Sequence, residues 1–361
     1  MSTLSAPATD TRLERVKTSW RPRFLANGIE PYDYETTVER IDRFEDWPPA
    51  WAELGVEHER RAHEAEAAGR SITAATFHRL AALAWHFGYF ARPRPLDDWL
   101  DAQRRKAMLF RQAAPFLVPA AEAVQIPFQG AALPGFLRKP VDIDKAPVVL
   151  FISGLDSSKE EHTTFEDVLL RRGLATLTFD GPGQGEVWET FPGQVEFERA
   201  GVAAVDFVEG RADLDARRIG IVGVSLGGYL APRCAASEPR IRAAVACGGL
   251  FDLASRELSD PLHLPRLLHF WNVPDADTLR PLLKASTLDG LLQRYDRPLL
   301  VVHGDRDDIT PVAGGRAIYE AAAGPKEWVL FPQGNHVCNN IPHLYRPLVA
   351  DWLAAQLEVP Q

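Results

Sequence analysis

From Pro147 onward the chain carries six short apolar runs, each closed by glycine, proline or aspartate and separated from the next by a helix-like segment. They are Pro147–Gly154, Ala175–Asp180, Arg218–Gly223, Ile241–Gly248, Pro298–Gly304 and Glu327–Phe331. Pro147-Val-Val-Leu-Phe-Ile-Ser-Gly154 shows no polar alternation, so a strand made from it must be covered on both faces. Strands of this kind alternating with helices build a mostly parallel sheet, whose ligands collect at the carboxyl ends of the strands. Val124–Phe128 and Leu133–Lys139 read as an antiparallel pair ahead of these runs, bringing the expected sheet to eight strands.

Residues 1–120 have another texture and predict an all-helical N-terminal domain, followed by an α/β domain over 121–361. Tyr34 to Phe44 places Val38, Ile41 and Phe44 on one helical face. Glu53 to Phe90 is alanine-rich and helical, interrupted at Gly69-Arg-Ser71, with Ser71 as the N-cap of the helix opening at Ile72. Arg92-Pro-Arg-Pro95 breaks the pattern, and Leu96 to Phe116 resumes it. The boundary is expected within Pro115–Glu122. A segment from Asp252 to Leu292, after the sixth strand, reads as an inserted lid or pocket wall containing His263, His269, Phe270 and Trp271.

A formal net charge of −9 argues against a nucleic-acid partner, because phosphate backbones are bound by clustered Lys and Arg. Cys234, Cys247 and Cys338 are an odd set at unpatterned spacing, which suits reduced thiols and a cytoplasmic location. The stretch Met1 to Trp20 has no apolar signal-peptide core, and no run of about 18 apolar residues would span a bilayer, so no membrane partner is expected.

Gly223-Val-Ser-Leu-Gly227 follows one strand-like run and precedes the helix-like Tyr229–Ala236. That is the setting in which a strained strand-to-helix turn exposes a nucleophilic hydroxyl, here Ser225, while the backbone N–H of Leu226 faces a developing oxyanion. An acid and a base should follow in that order. Gly304-Asp-Arg-Asp-Asp308 ends a strand and offers Asp307, with Asp308 and Asp305 as fallbacks; His336 follows the last strand. His336 would take the Ser225 proton while Asp307 orients the ring. The second oxyanion donor is expected from Gly154-Leu-Asp-Ser-Ser-Lys159, first from Leu155, then from Asp156. His303 reads as structural, and His58, His63, His78 and His86 as packed or solvated helix residues. Asp180-Gly-Pro-Gly-Gln-Gly-Glu186 lacks the Lys-Ser/Thr of a phosphate cradle and reads as a tight turn after a strand. The expected chemistry needs neither metal nor cofactor.

The strings Gly154-Leu-Asp-Ser-Ser-Lys-Glu-Glu161, Phe179-Asp-Gly-Pro-Gly-Gln-Gly-Glu186, Ser225-Leu-Gly-Gly228 and Gly334-Asn-His-Val-Cys-Asn339 carry a resemblance. The chain resembles the α/β-hydrolase branch of 2,6-dihydroxypseudooxynicotine hydrolase, FrsA-like hydrolases and fungal heptaketide-shortening enzymes. The resemblance implies the α/β-hydrolase fold with a helical N-terminal domain, and hydrolysis of a carbon–carbon bond next to a ketone on an electron-rich ring. Such a leaving group must be protonated on carbon, so a further acid is expected near the triad. The resemblance puts that carboxylate in the insertion, at Glu257. Val224 stands where the nicotine-pathway enzyme is expected to have Arg, and Val337 where it is expected to have Cys, so a different substrate is implied.

The leading expectation is therefore a serine hydrolase acting on a small aromatic or polyketide-like ketone, assembled as a homodimer. A carboxylesterase of small acyl esters is one alternative. A catalytically silent interaction module is another, which fluorophosphonate labelling of Ser225 would discriminate.

Overall fold

The computed structural model describes residues 11–90 and 96–359. The expected break at Arg92-Pro-Arg-Pro95 and the first half of the Met1–Trp20 segment lie outside the described residues. Six helices come first: α1 (Thr11–Thr18), α2 (Arg21–Ala26), α3 (Pro31–Val38), α4 (Trp47–Ala67), α5 (Ser71–Tyr89) and α6 (Leu96–Ala113). Strands β1 (Ala121–Phe128), β2 (Ala131–Arg138) and β3 (Ala146–Ile152) follow, then α7 (Thr163–Leu170), β4 (Ala175–Phe179), α8 (Glu198–Glu209), β5 (Leu214–Val224), α9 (Leu226–Ser237) and β6 (Ile241–Cys247). The insertion carries α10 (His263–Trp271) and α11 (Ala276–Ala285). The chain closes with β7 (Leu299–Gly304), α12 (Val312–Ala321), β8 (Lys326–Phe331) and α13 (Pro342–Gln356).

The eight strands form one sheet in the order β1-β2-β4-β3-β5-β6-β7-β8. β2 pairs antiparallel with β1 and β4, and every other pairing is parallel. The pleat explains the unbroken apolar runs. Val148, Leu150 and Ile152 of β3 face one core with α8 and α9, whereas Val149 and Phe151 face a second core with α7 and α13. The crossovers leave β5 near the middle of the sheet, with its carboxyl end, and so Ser225, beside the ends of β3 and β6.

The helical region has its own aromatic core, in which Trp20, Phe24, Trp47, Trp51 and Phe87 are buried and the Phe24 and Phe87 rings stack at 4.1 Å. It is joined to the sheet through Phe110 of α6, whose ring lies 4.7 Å from that of Phe136 on β2. Two local expectations fail here. The helix through Tyr34 stops at Val38, and Ile41 and Phe44 are buried from a turn and a 3-10 segment instead, because the aromatic core recruits them without a continuous helix. Ser71 is the first helical residue of α5, and no side chain caps that helix. Among the described residues no helix is long and apolar enough to cross a membrane.

Candidate active site

Ser225 sits between the last residue of β5 and the first of α9 with φ 58° and ψ −118°, a left-handed conformation that is strained for a residue with a side chain. The neighbouring glycines make the turn possible. A Cβ on Gly223 would meet Gly227 O at 1.9 Å, and one on Gly227 would meet Ile152 O at 2.2 Å. Ser225 N–H donates to Cys247 O at 2.9 Å, tying the turn to β6.

Two loops bring partners to this hydroxyl. His336 follows β8, and its Nε2 lies 2.9 Å from Ser225 Oγ. Its Nδ1 lies 2.9 Å and 3.0 Å from the two oxygens of Asp307, which follows β7. The Asp307 carboxylate also accepts from Ile309 N (2.9 Å), Thr310 N (2.8 Å) and Thr310 Oγ1 (2.7 Å). Burial works against its ionisation, but the adjacent His336 ring and these hydrogen bonds hold its carboxyl well below the usual carboxylate range. The side chain of Asp307 is fully enclosed, whereas Asp305 and Asp308 are exposed. His303 is buried beneath this loop with Nε2 2.8 Å from Thr310 O, and burial lowers its pKa; it props Thr310 rather than meeting Ser225.

The N–H groups of Leu226 and Leu155 have no hydrogen-bond acceptor among the described residues. Leu226 opens α9, where first-turn donors lack intrahelical partners. Leu155 follows β3 and, with Asp156, lines the cavity above Ser225. The side chain of Asp156 is engaged by Arg23 Nη1 at 2.8 Å and by Arg266.

Asp180-Gly-Pro-Gly-Gln-Gly-Glu186 braces this loop. Gln184 Nε2 donates to Ser153 O (2.9 Å) and Gly154 O (3.0 Å), and Asp180 accepts from Lys159 N (3.0 Å) and Lys159 Nζ (2.8 Å). A Cβ on Gly185, at φ +41°, would meet Asp180 Oδ2 at 2.0 Å, so close packing requires glycine there. Glu160, Asp180 and Glu186 are the carboxylates grouped closely enough to hold a cation among the described residues. Lys159 Nζ already lies 2.6 to 2.8 Å from all three.

The cavity over Ser225 is open to solvent and encloses about 760 Å³. Val224 and Val337, where the resemblance implied Arg and Cys, both line it. So do Trp20, Arg23 and Asn27 of the helical region, which no local signal marks in the sequence. Arg23 donates to both oxygens of Glu161 at 2.7 Å and to Ser157 Oγ at 2.8 Å. Glu161 also receives Asn27 Nδ2 at 2.7 Å and faces His86 Nε2 at 2.9 Å. Burial opposes ionisation of Glu161, yet Arg23 and these donors hold it far below the usual range. Lys106 of α6 adds a second tie, to Ser158 Oγ at 2.7 Å and Glu160 at 3.3 Å. The adjacent acids Glu160 and Glu161, both buried, were the one available hint that distant cations must arrive.

Glu257 does not reach the cavity. In the turn closed by Arg256 N–H to Leu253 O, the inward position falls to Arg256, while Glu257 is exposed and accepts from Ser259 Oγ at 2.5 Å. Arg256, His263 and Arg266 make the insertion a wall of the cavity. Its aromatic residues are packed elsewhere: Phe270 covers Gly183 and Gly193, and the His269 ring lies 4.3 Å from Trp99 and 4.4 Å from Trp188. His58 and His78 pair with Asp33 (2.9 Å) and Glu66 (2.8 Å), and His63 is exposed.

Residues 162–359 match the model of the prolyl oligopeptidase family, a span that takes in Ser225, Asp307 and His336. Over 341 residues the chain is 32% identical to the 2,6-dihydropseudooxynicotine hydrolase of Paenarthrobacter nicotinovorans, covering 92% of this chain and 90% of that one. A crystal structure of 2,6-dihydroxy-pseudo-oxynicotine hydrolase superposes with a TM-score of 0.85 at 31% identity, covering 93% and 95% of the two chains. Hydrolase ffsE of Aspergillus flavipes is 34% identical over 257 residues, 63% of this chain and 57% of its own length. The chain therefore belongs to the prolyl oligopeptidase family and is a hydrolase on the α/β-hydrolase fold.

Proposed function

We propose that the chain is a cofactor-independent serine hydrolase cleaving a carbon–carbon bond adjacent to a ketone in a small aromatic or polyketide-like substrate. The observation that carries this reading is the hydrogen-bonded chain from Ser225 Oγ through His336 to Asp307 on the floor of the cavity. The extended similarity to a 2,6-dihydropseudooxynicotine hydrolase supports the carbon–carbon chemistry implied by the sequence strings.

In this reading Ser225 Oγ attacks the ketone carbon as its proton passes to His336 Nε2, and Asp307 stabilises the imidazolium. Charge on the former carbonyl oxygen is met by the N–H groups of Leu226 and Leu155. The carbon–carbon bond then breaks, its electron pair staying on the leaving carbon, which takes the proton from His336. Asp156 and Glu161, the other carboxyls lining the cavity, are held ionised by Arg23 and Arg266, so neither serves as the acid. With Glu257 on the surface, His336 is assigned that proton. Water activated by His336 releases the acyl group as a carboxylic acid.

Turnover of aryl 1,3-diketones and aryl ketones, followed by product analysis with Ser225→Ala as control, tests the reading. Acid in equal amount with a released ketone from the diketones, or with a released arene from the aryl ketones, is expected from the native protein alone. Hydrolysis of p-nitrophenyl esters without any ketone cleavage would replace it by a carboxylesterase, and absence of fluorophosphonate labelling at Ser225 would remove both.

A further inference from the structure

Four guanidinium groups line the cavity, those of Arg23, Arg256, Arg266 and Arg346, against two carboxylates outside the triad, Asp156 and Glu161. The carboxylates are already shared. Asp156 binds Arg23 and Arg266, and Glu161 binds Arg23 together with Asn27 and His86. Arg346 is turned toward neutral acceptors, Ala26 O, Thr164 Oγ1 and Asn27 Oδ1.

Arg256 is the outlier. Its Nη1 donates to Ile309 O at 3.3 Å, beside the backbone that cradles Asp307, and no carboxylate forms an ion pair with it among the described residues. Its Nε is shielded from solvent and has no partner. Arg266 is 4% exposed, packs 4.5 Å over the Trp20 ring, and donates to Asp156 and Leu262 O, but its Nη2 is likewise buried and unpartnered. The two cations repel each other strongly enough that, after burial, Arg266 is the largest influence lowering the Arg256 pKa, to about 10. A cation whose shielded donor stays idle is costly unless a ligand completes it.

We propose that Arg256 and Arg266 form an anion subsite beside Ser225, taking a planar, two-oxygen anionic group of the substrate, either a carboxylate or the enolate of a 1,3-diketone. Both arginines come from the insertion; one guanidinium is tied to Ile309 O in the loop that holds the triad acid, and the other to Asp156 in the loop that supplies Leu155. An anion bridging them is held in the same cavity as the hydroxyl and sets which carbonyl reaches it. Guanidinium donors suit such planar acceptors. The inference rests on Ser225 being the nucleophile and names the substrate class of that site.

The test compares kcat/KM for mono-p-nitrophenyl glutarate and p-nitrophenyl butyrate, acyl groups alike except for the terminal carboxylate. A preference for the glutarate ester of roughly tenfold or more is expected, the size of one charge-assisted hydrogen bond. Arg256→Gln should collapse that ratio through a raised KM for the glutarate ester, and Arg256→Lys should retain part of it. Free glutarate should raise the melting temperature of the native protein, which reads the subsite without any variant. Competitive inhibition of butyrate-ester hydrolysis by acetylacetone, appearing as its enolate forms, would assign the enolate. A ratio near one, with no inhibition and no thermal shift from either anion, would overturn the subsite while leaving ester hydrolysis at Ser225 intact. No hydrolysis of either ester would instead count against the nucleophile.

Discussion

Replacing Asp307 by Asn removes one charge and almost no volume, so its effect follows from hydrogen-bond bookkeeping alone. One carboxylate oxygen accepts from Ile309 N and Thr310 N, the other from Thr310 Oγ1, and His336 Nδ1 lies 3.0 Å and 2.9 Å from the two. An amide has a single acceptor oxygen. The two backbone N–H groups cannot rotate away, so the Asn oxygen faces them and its NH₂ faces Thr310 and His336. The Thr310 hydroxyl can turn to accept, and the NH₂ at the place of the oxygen nearer His336 requires an acceptor at Nδ1, which puts the ring proton on Nε2, 2.9 Å from Ser225 Oγ. The imidazole now donates to the hydroxyl it should deprotonate. A loss of about 10⁴-fold in kcat is expected, or ~5 kcal/mol, with little change in KM. Initial rates with p-nitrophenyl butyrate read this directly, and Asp305→Asn and Asp308→Asn, at exposed positions, serve as controls. Because Asp307 is held below the ordinary carboxyl range, its contribution to stability is present above that range and disappears as pH falls through the lowered value. The melting-temperature deficit of Asp307→Asn should therefore shrink in strong acid. Retention of more than about a tenth of kcat, well short of the tautomer effect, would refute this account of His336.

Arg23→Met should cost about 3–5 kcal/mol in urea denaturation, because it leaves Glu161, 1% exposed, without its cation. The exposed pair Arg60 and Glu64 is the contrast, where Arg60→Met should leave the denaturation midpoint essentially unchanged. Glu166 is fully enclosed, and burial raises its pKa to about 7 despite Arg138 and the Thr176 hydroxyl at 2.9 Å. Its stability contribution is complete below the ordinary carboxyl value and is lost as pH rises through about 7, so the unfolding free energy from urea denaturation should decline over that window by up to ~3 kcal/mol. Glu166→Gln should flatten the decline; an unchanged pH profile would show that Glu166 does not cause it.

The inner strands were legible because burial on both faces leaves no room for polar residues, so the runs from Pro147 to Gly304 announced themselves through composition, whereas the edge run Glu327–Phe331 is only partly buried. Ser225 was legible for a steric reason: the contacts at Gly223 and Gly227 admit nothing larger than hydrogen. Chain order then led to the loops after β7 and β8, and the choice among Asp305, Asp307 and Asp308 rests on enclosure, which only the fold reveals. Glu257 was expected to supply an acid at the cavity, yet the inward position of its turn holds Arg256, because a turn's inward face is set by what packs over it. The end of α3 was missed for the same reason, since Ile41 and Phe44 keep helical spacing yet are buried without a helix. Arg23 and Glu161 stand 138 residues apart, and nothing in either neighbourhood points to the other.

The seams made by Arg23 and Lys106 mean that the reacting groups and the shape of the chamber around them are inherited from opposite ends of the polypeptide. A fragment starting at Ala121 would keep every group assigned to bond cleavage and yet strip Glu160, Glu161 and Asp156 of cations they share in the intact chain. The leading helices therefore act as a fitted counterpart to the sheet rather than an accessory. Selection could retune what enters through Trp20, Arg23 and Asn27 while the chemistry at the strand ends stayed untouched.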